Sequence, residues 1–211
     1  GIVFGLLTPT FAIFLNEIGS KKFKRIVQTI STLPHFISWV IMYSLVFFML
    51  SAESGFVNHI LKDLGIIETP INFLATRKNI WITMQLYSLW KGLGWSAIIY
   101  IAAIAGIDIE LYEAAMIDGA NRIQRIRYVT IPGLIPTYFV LLIISFGHFL
   151  SVGFEQFYVF QNAMNKEYIQ VLDLYVYNQG IASGQISYAT AIGIMKSFVS
   201  IILFSFANRM S

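Results

Sequence analysis

Six polar or aromatic side chains lie in stretches where almost everything around them is apolar: Trp90, Lys91, His148, Glu155, Gln156 and Lys196. A polar or ionisable group in such surroundings is costly unless hydrated or paired, so these groups mark a solute path, a proton relay or packing hydrogen bonds. Lys91 and Lys196 can each face an aqueous path, snorkel toward a surface, or pair with a carboxylate such as Glu155. His148 and Glu155, seven residues apart, share a face if one helix carries both, as a relay or as packing hydrogen bonds. The rings of Trp90, Trp95, Tyr87 and Tyr100 can stack on a ligand, and they suit lipid or core contact equally. No grouping of His, Asp and Glu has metal-ligand spacing, and His35, His59 and His148 lack neighbours that suggest catalysis. The absence of cysteine excludes disulfides and thiolate sites.

A second constellation is continuous. Glu113, Ala114, Ala115, Asp118, Gly119, Asn121 and Arg122 form a polar island, with Val129, Ile131 and Pro132 following. Small residues allow close backbone approach, the two carboxylates are charge-assisted acceptors, and glycine permits a sharp bend. Such a surface suits a soluble partner. No Gly-x-x-x-x-Gly-Lys-Ser/Thr run occurs, so this chain has no loop of that type to cradle a nucleotide's phosphates.

The elements that position these residues follow from composition. Of 211 residues, 57% are hydrophobic and 12% charged, with a mean hydropathy of +0.70, against about 25% charge in an ordinary soluble domain. The chain reads as an all-α polytopic membrane protein, because runs this long and continuously apolar do not fit the alternating strands of a barrel. Five spans are expected, at about 1–16, 26–50, 80–106, 134–160 and 188–208, since about 20 residues cross roughly 30 Å of hydrocarbon. The start at Gly1 inside an apolar run, and the end at Ser211, suggest a fragment lacking N-terminal span(s) and a C-terminal tail.

Charge gives the orientation. Lys21, Lys22, Lys24, Arg25, Arg122, Arg125, Arg127 and Arg209 fall on one side of alternating spans, against Lys62, Arg77, Lys78 and Lys166 on the other. The positive-inside rule then places the loop 107–133 in the cytoplasm and the connections 51–79 and 161–187 outside. The basic residues cluster at helix ends, which accounts for the net charge of +3 without nucleic acid. Within the loop, Asp108 is the expected N-cap of a helix closed by a left-handed Gly119. Asn121 with Gln124 forms a capping box for a second short helix, expected to end before Pro132 and to lie along the membrane surface.

At these residues the chain resembles the permease subunits of type I binding-protein-dependent ABC importers. Their signature is Glu-Ala-Ala, three residues, Gly, nine residues, Ile, one residue, Leu-Pro. Glu113, Ala114, Ala115, Gly119 and Pro132 match, Val129 and Ile131 are conservative departures, and the spacing is kept. The runs Thr32 to Ser38, Pro70 to Phe73, Gly92 to Trp95, Gly106 to Asp108, Glu110 to Tyr112 and Val152 to Glu155 resemble the carbohydrate branch, in particular permeases for complex oligosaccharides. The resemblance implies a single ABC transmembrane type-1 domain over 1–211, in the multi-pass helical bundle of the cytoplasmic membrane. It implies that Glu113, Ala114, Ala115, Asp118, Gly119, Arg122 and Pro132 couple to an ATPase, and that Trp90, Lys91, His148, Glu155, Gln156 and Lys196 are candidates for a sugar path. The implied partners are a second permease, two ATPase subunits that bind the ATP and magnesium, an extracytoplasmic solute-binding protein, and lipid. No cofactor is expected in this chain, and no enzymatic activity of its own. The competing reading is an ion-coupled secondary transporter with Glu155, His148 and Lys196 as a proton relay. A non-transporting membrane scaffold would leave the motif's spacing without a reason.

Overall fold

Apolar runs punctuated by serine caps, prolines and glycines fold into helices that are shorter and more numerous than hydropathy alone suggests. The computed structural model describes residues 2–74 and 80–210, so Arg77 and Lys78 of the charge argument lie outside the described residues. Among these the α-helices are α1 (Ile2–Asn16), α2 (Lys21–Thr32), α3 (Trp39–Leu50), α4 (Phe56–Asp63), α5 (Ile80–Ala105), α6 (Ile109–Ile117), α7 (Arg122–Arg125), α8 (Ile131–Gly147), α9 (Phe154–Phe160), α10 (Leu172–Tyr177) and α11 (Ile186–Met210). A 3-10 turn covers Leu33–Phe36, and π turns cover Ile126–Thr130 and Asn178–Ala182. Three helices, Ile80–Ala105, Arg122–Gly147 and Ile186–Arg209, are long and apolar enough to cross a membrane, or up to four if Lys21–Phe36 and Trp39–Leu50 count as one broken span. Gly5–Asn16 is a shorter apolar helix.

Two of the five expected spans therefore differ from their hydropathy. The run 26–50 is interrupted at Ile37 and Ser38, where the Ser38 hydroxyl accepts from Ile41 N at 3.3 Å and opens α3. Twelve residues of α3 extend only about 18 Å at 1.5 Å each, too little to cross alone. Its predecessor α2 is amphipathic, with Lys21, Lys24, Arg25 and Gln28 on one stripe and Phe23, Ile26, Val27 and Ile30 on the other. The run 134–160 stops at Gly147, and a turn closed by Ser151 N donating to His148 O at 2.9 Å leads to the separate helix α9. His148 and Glu155 thus do not share one helix face.

The chain divides into two compact units. The first contains residues 1–36, 88–147 and 203–211. Its core joins Ala12 of α1, Ala97, Tyr100 and Ile104 of α5, and Leu134 of α8, with Ala12 and Ala97 fully buried because small residues let helices approach closely. Gly94 makes the tightest approach: a Cβ there would lie 2.2 Å from the Ser31 carbonyl oxygen at the end of α2. Small residues four apart, Gly92 with Ser96 and Ala102 with Gly106, suggest a packing stripe, yet Gly92 meets nothing within 4 Å.

The second unit contains residues 37–87 and 148–202. Ile80 and Met84 of α5, Phe157 and Phe160 of α9, Leu174 of α10, and Ile169 and Val171 of the intervening loop form its core. Buried asparagines hold its loops. The Asn58 amide donates to Ser51 O at 2.8 Å and Ile71 O at 2.9 Å, and its oxygen accepts from Ile71 N at 2.9 Å. Asn162 and Asn165 cap each other's backbone N–H groups at 2.7 and 3.0 Å, and Asn165 donates to Phe160 O at 3.1 Å. Side-chain amides thus pair with loop backbone groups such as Ile71 N and Phe160 O, which would otherwise be costly to enclose.

Candidate functional site

The polar island folds as its local chemistry dictates. The Asp108 carboxylate accepts from Glu110 N at 3.0 Å and opens α6. At the other end Ala120 N donates to Ala115 O at 2.9 Å and Gly119 N to Met116 O at 3.1 Å, the paired bonds of a Schellman closure. That closure requires the left-handed φ of +79° at Gly119, which glycine adopts without the side-chain penalty. The expected capping box is formed: Asn121 N donates to Gln124 Oε1 at 2.7 Å, and Gln124 N to Asn121 Oδ1 at 3.0 Å. Glu113, Ala114, Asp118, Gly119 and Arg122 are exposed, as are Met116 at 50% and Ile117 at 87%. At this bend carboxylates stand beside uncovered large apolar side chains.

The second helix departs from expectation. It runs on through Pro132 as one helix from Arg122 to Gly147 instead of ending and lying along the membrane. Pro132 lacks the N–H that an α-helix would donate to Tyr128, and the chain accommodates it with the π turn, where Ile131 N bonds Ile126 O. The buried Thr130 hydroxyl in that turn shares a 2.9 Å hydrogen bond with Tyr112 OH, tying α6 to the start of α8. Arg122 forms an ion pair with Glu17 and also bonds the Glu17 carbonyl, which fastens the loop to the turn after α1.

The intramembrane candidates fall into both units. In the first, Trp90 is half exposed, and the Lys91 ammonium donates to His35 O at 2.6 Å and Pro34 O at 3.5 Å, satisfying carbonyls where the helix breaks. Beside them the His35 and Trp95 rings stack at 4.4 Å with 2° between their planes. In the second unit, Lys196 of α11 pairs with Asp173 of α10, both about one-fifth exposed, so the described carboxylate partner is Asp173 and not Glu155. Gln156 is buried, its amide donating to Met84 O at 2.8 Å, whereas the neighbouring Glu155 is exposed. Phe154 and Tyr158 stack at 5.2 Å beside Tyr177, whose phenol pKa is raised above its ordinary value by its hydrogen bond to Tyr158.

Residues 1–211 match the family described as binding-protein-dependent transport system inner membrane component. The chain belongs to this family. Over 95% of its length it is 42% identical to the polygalacturonan/rhamnogalacturonan transport system permease protein YteP of Bacillus subtilis, covering 62% of that protein. It is 33% identical, again over 95% of its length and 63% of the relative, to the arabinooligosaccharides permease AraP of the same organism. A crystal structure of a bacterial ABC transporter for the acidic polysaccharide alginate matches with a TM-score of 0.90 at 38% identity, over 97% of this chain and 71% of that one. The chain thus spans about three-fifths of the length of the curated relatives it matches.

Membership in this transport family favours the binding-protein-dependent reading over the ion-coupled alternative. In this family member several contacts escape sequence reasoning. Glu17, Tyr112, Thr130 and Asp173 each meet partners at least 18 positions away; Tyr112, just before Glu113, and Thr130, between Val129 and Ile131, lie beside the motif, whereas Glu17 and Asp173 have no such signal.

Proposed function

We propose that this chain is the membrane permease subunit of an ATP-driven importer that moves an oligosaccharide across the cytoplasmic membrane by alternating access. The α6 bend carries the proposal: a Schellman-closed helix presents Glu113, Ala114, Asp118 and Gly119 together with exposed Met116 and Ile117. On this reading the bend enters a groove on an ATPase subunit in the cytoplasm, and Tyr112–Thr130 and Arg122–Glu17 carry its movement into α8 and α1. ATP and magnesium belong to that subunit. A second permease and a solute-binding protein complete the assembly; a structure of the related alginate transporter includes a pentasaccharide-bound periplasmic protein. Support for a glycan cargo comes from the relatives' names, which specify polygalacturonan, arabinooligosaccharides and alginate. Trp90, Lys91, His148, Glu155, Gln156 and Lys196 remain the proposed path, with Lys91, Gln156 and Lys196 better suited to holding its walls than to gripping sugar.

Gly119→Asp tests the coupling. Apart from its chain neighbours, no described residue lies within 4 Å of a Cβ at Gly119, so the new side chain projects into the open space a docked partner would fill. The left-handed backbone adds a strain of about 1 kcal/mol. The expected outcome is a membrane-inserted chain whose ATPase loses at least about tenfold of its substrate stimulation, the equivalent of about 1.4 kcal/mol. Undiminished stimulation in the reconstituted importer overturns the assignment.

A further inference from the structure

Within the first unit, α2 has its charge at one end and apolar surface along its length. Lys21, Lys22, Lys24 and Arg25 fill its first two turns, and residues 18–36 contain no carboxylate. At about 100° per residue the helix has three sides. Lys24, Val27, Gln28 and Ser31 form the half-buried side: the Lys24 ammonium donates to Asn16 Oδ1 at 3.2 Å at the end of α1, and the Ser31 carbonyl lies against Gly94 of α5. Lys21, Lys22 and Arg25 are exposed on the second side. Phe23, Ile26 and Ile30, with Leu33 just beyond the helix, make the third and are 54–63% exposed. Lys22 and Ile26, four residues apart, join the two exposed sides. The anchors set the depth of each part in a bilayer. Asn16 adjoins Glu17, the partner of Arg122, so the basic end of α2 lies level with the 107–133 loop. Ser31 meets α5 at Gly94, about 17 Å before that helix ends at Ala105 and the same loop begins. Half of a hydrocarbon layer is roughly 15 Å, so Ser31 is near the midplane and the exposed apolar side of α2 is one leaflet long.

We infer that α2 is a docking surface for an anionic phospholipid of the leaflet on the loop's side, its phosphate among Lys21, Lys22 and Arg25 and its acyl chains along Ile26, Ile30 and Leu33. Charge complementarity selects this occupant. Three exposed cations on a helix without a carboxylate attract a headgroup of net negative charge over a zwitterionic one, and their apolar stems can lie on the neighbouring apolar side. The order of the residues matches the molecule as well: the charge is confined to the end at the membrane surface, and the apolar side continues inward for the length of an acyl chain. A free phosphate would use the cations and leave Phe23, Ile26 and Ile30 without a partner. A polypeptide would have to bring acidic groups to the surface and an apolar face below them. The inference needs only the membrane setting that the family supplies, and it goes beyond the importer reading by naming a lipid class and the side chains that select it.

The test uses the full chain in its complete assembly, in nanodiscs of equal parts phosphatidylglycerol and phosphatidylcholine. The photo-crosslinker benzoylphenylalanine replaces Phe23 in one preparation and Ile30 in another, and mass spectrometry identifies what each captures. Lipid should be captured at both positions. At Phe23 the phosphatidylglycerol adduct should exceed the phosphatidylcholine adduct at least about threefold at low salt, a margin that shrinks as salt screens the headgroup. Lys21→Gln, Lys22→Gln and Arg25→Gln combined should bring that ratio close to one, while lipid is still captured at Ile30. Thermal unfolding checks that the combined variant is folded, and Lys22→Glu alone, which should lower the ratio, serves if it is not. Millimolar glycerol phosphate, which has the headgroup chemistry without the chains, should leave the adducts unchanged. Capture of a polypeptide at either position, equal yields of the two lipids, a ratio indifferent to the three cations, or displacement by glycerol phosphate overturns the docking surface.

Discussion

Lys196 and Asp173 show how a charge inside an apolar helix is accommodated. Each is about one-fifth exposed, so the pair is only partly desolvated and neither partner is tolerable alone. Lys196→Met or Asp173→Asn should each lower stability by about 1–3 kcal/mol, less than a fully buried pair would lose. The double variant should recover much of that loss. Unfolding midpoints of the three variants in one detergent check the cycle, and strictly additive losses would show that the two groups do not act together. Lys91 uses a different device, donating to two carbonyls at a helix break instead of to a carboxylate. Both lysines were visible in the sequence as costly groups. Which partner each one found was not, because the carbonyls of Pro34 and His35 and the carboxylate of Asp173 come near only after folding.

At the scale of elements, short-range chemistry was the most legible. The Asp108 cap, the left-handed Gly119 and the Asn121–Gln124 box depend on residues within three or four positions, so the sequence contains their whole cause. Asn121→Ala should cost about 1 kcal/mol of local stability. Faster hydrogen exchange at the Gln124 amide would register it; unchanged exchange would mean the helix start is held by other contacts. The interruptions of the apolar runs were much less legible. Side chains on both sides of Ile37 and Ser38, or of residues 148–153, are equally apolar, so hydropathy averaged over a span is blind to the break. Each break has a local hydrogen bond, at Ser38 and at Ser151, and adds a tertiary one: Lys91 at the first, Gln156 buried against Met84 near the second. Pro34 and Ser38 were local hints whose force depended on those contacts.

For the whole molecule, the exposed apolar surface carries the clearest message. Only 6% of the most apolar window of α11 is buried, and Ile194, Met195, Phe198, Ile201 and Phe206 are exposed along it. Lipid or another chain must cover that helix. On the proposed assembly, motion entering at α6 has to reach the apolar helices, and the ion pair of Arg122 with Glu17 is one route. Glu17→Arg or Arg122→Glu should reduce substrate-stimulated ATP hydrolysis several-fold, within the 0.5–2 kcal/mol or about 2–30-fold range of coupling contacts. The two together should restore a good part of it. ATPase assays in proteoliposomes decide, and a double variant as impaired as the singles would remove the pair from the route. Membrane character, the family and the bend were legible at this scale; the division of the chain into two units was not, since α5 and α11 each contribute to both.

The π turn at Ile126–Thr130 holds one residue more than the same length of α-helix needs. Loss of a residue here is therefore absorbed locally: the turn reverts to α geometry and α8 keeps its angular setting. The same loss within α8 would rotate all that follows by about 100° and draw it in by about 1.5 Å, turning lipid-facing side chains inward. Loss of one residue in this turn thus leaves the setting of the helix beyond it unchanged, and its cost falls on Thr130, whose hydroxyl would leave Tyr112, and on Pro132, which the π geometry had accommodated.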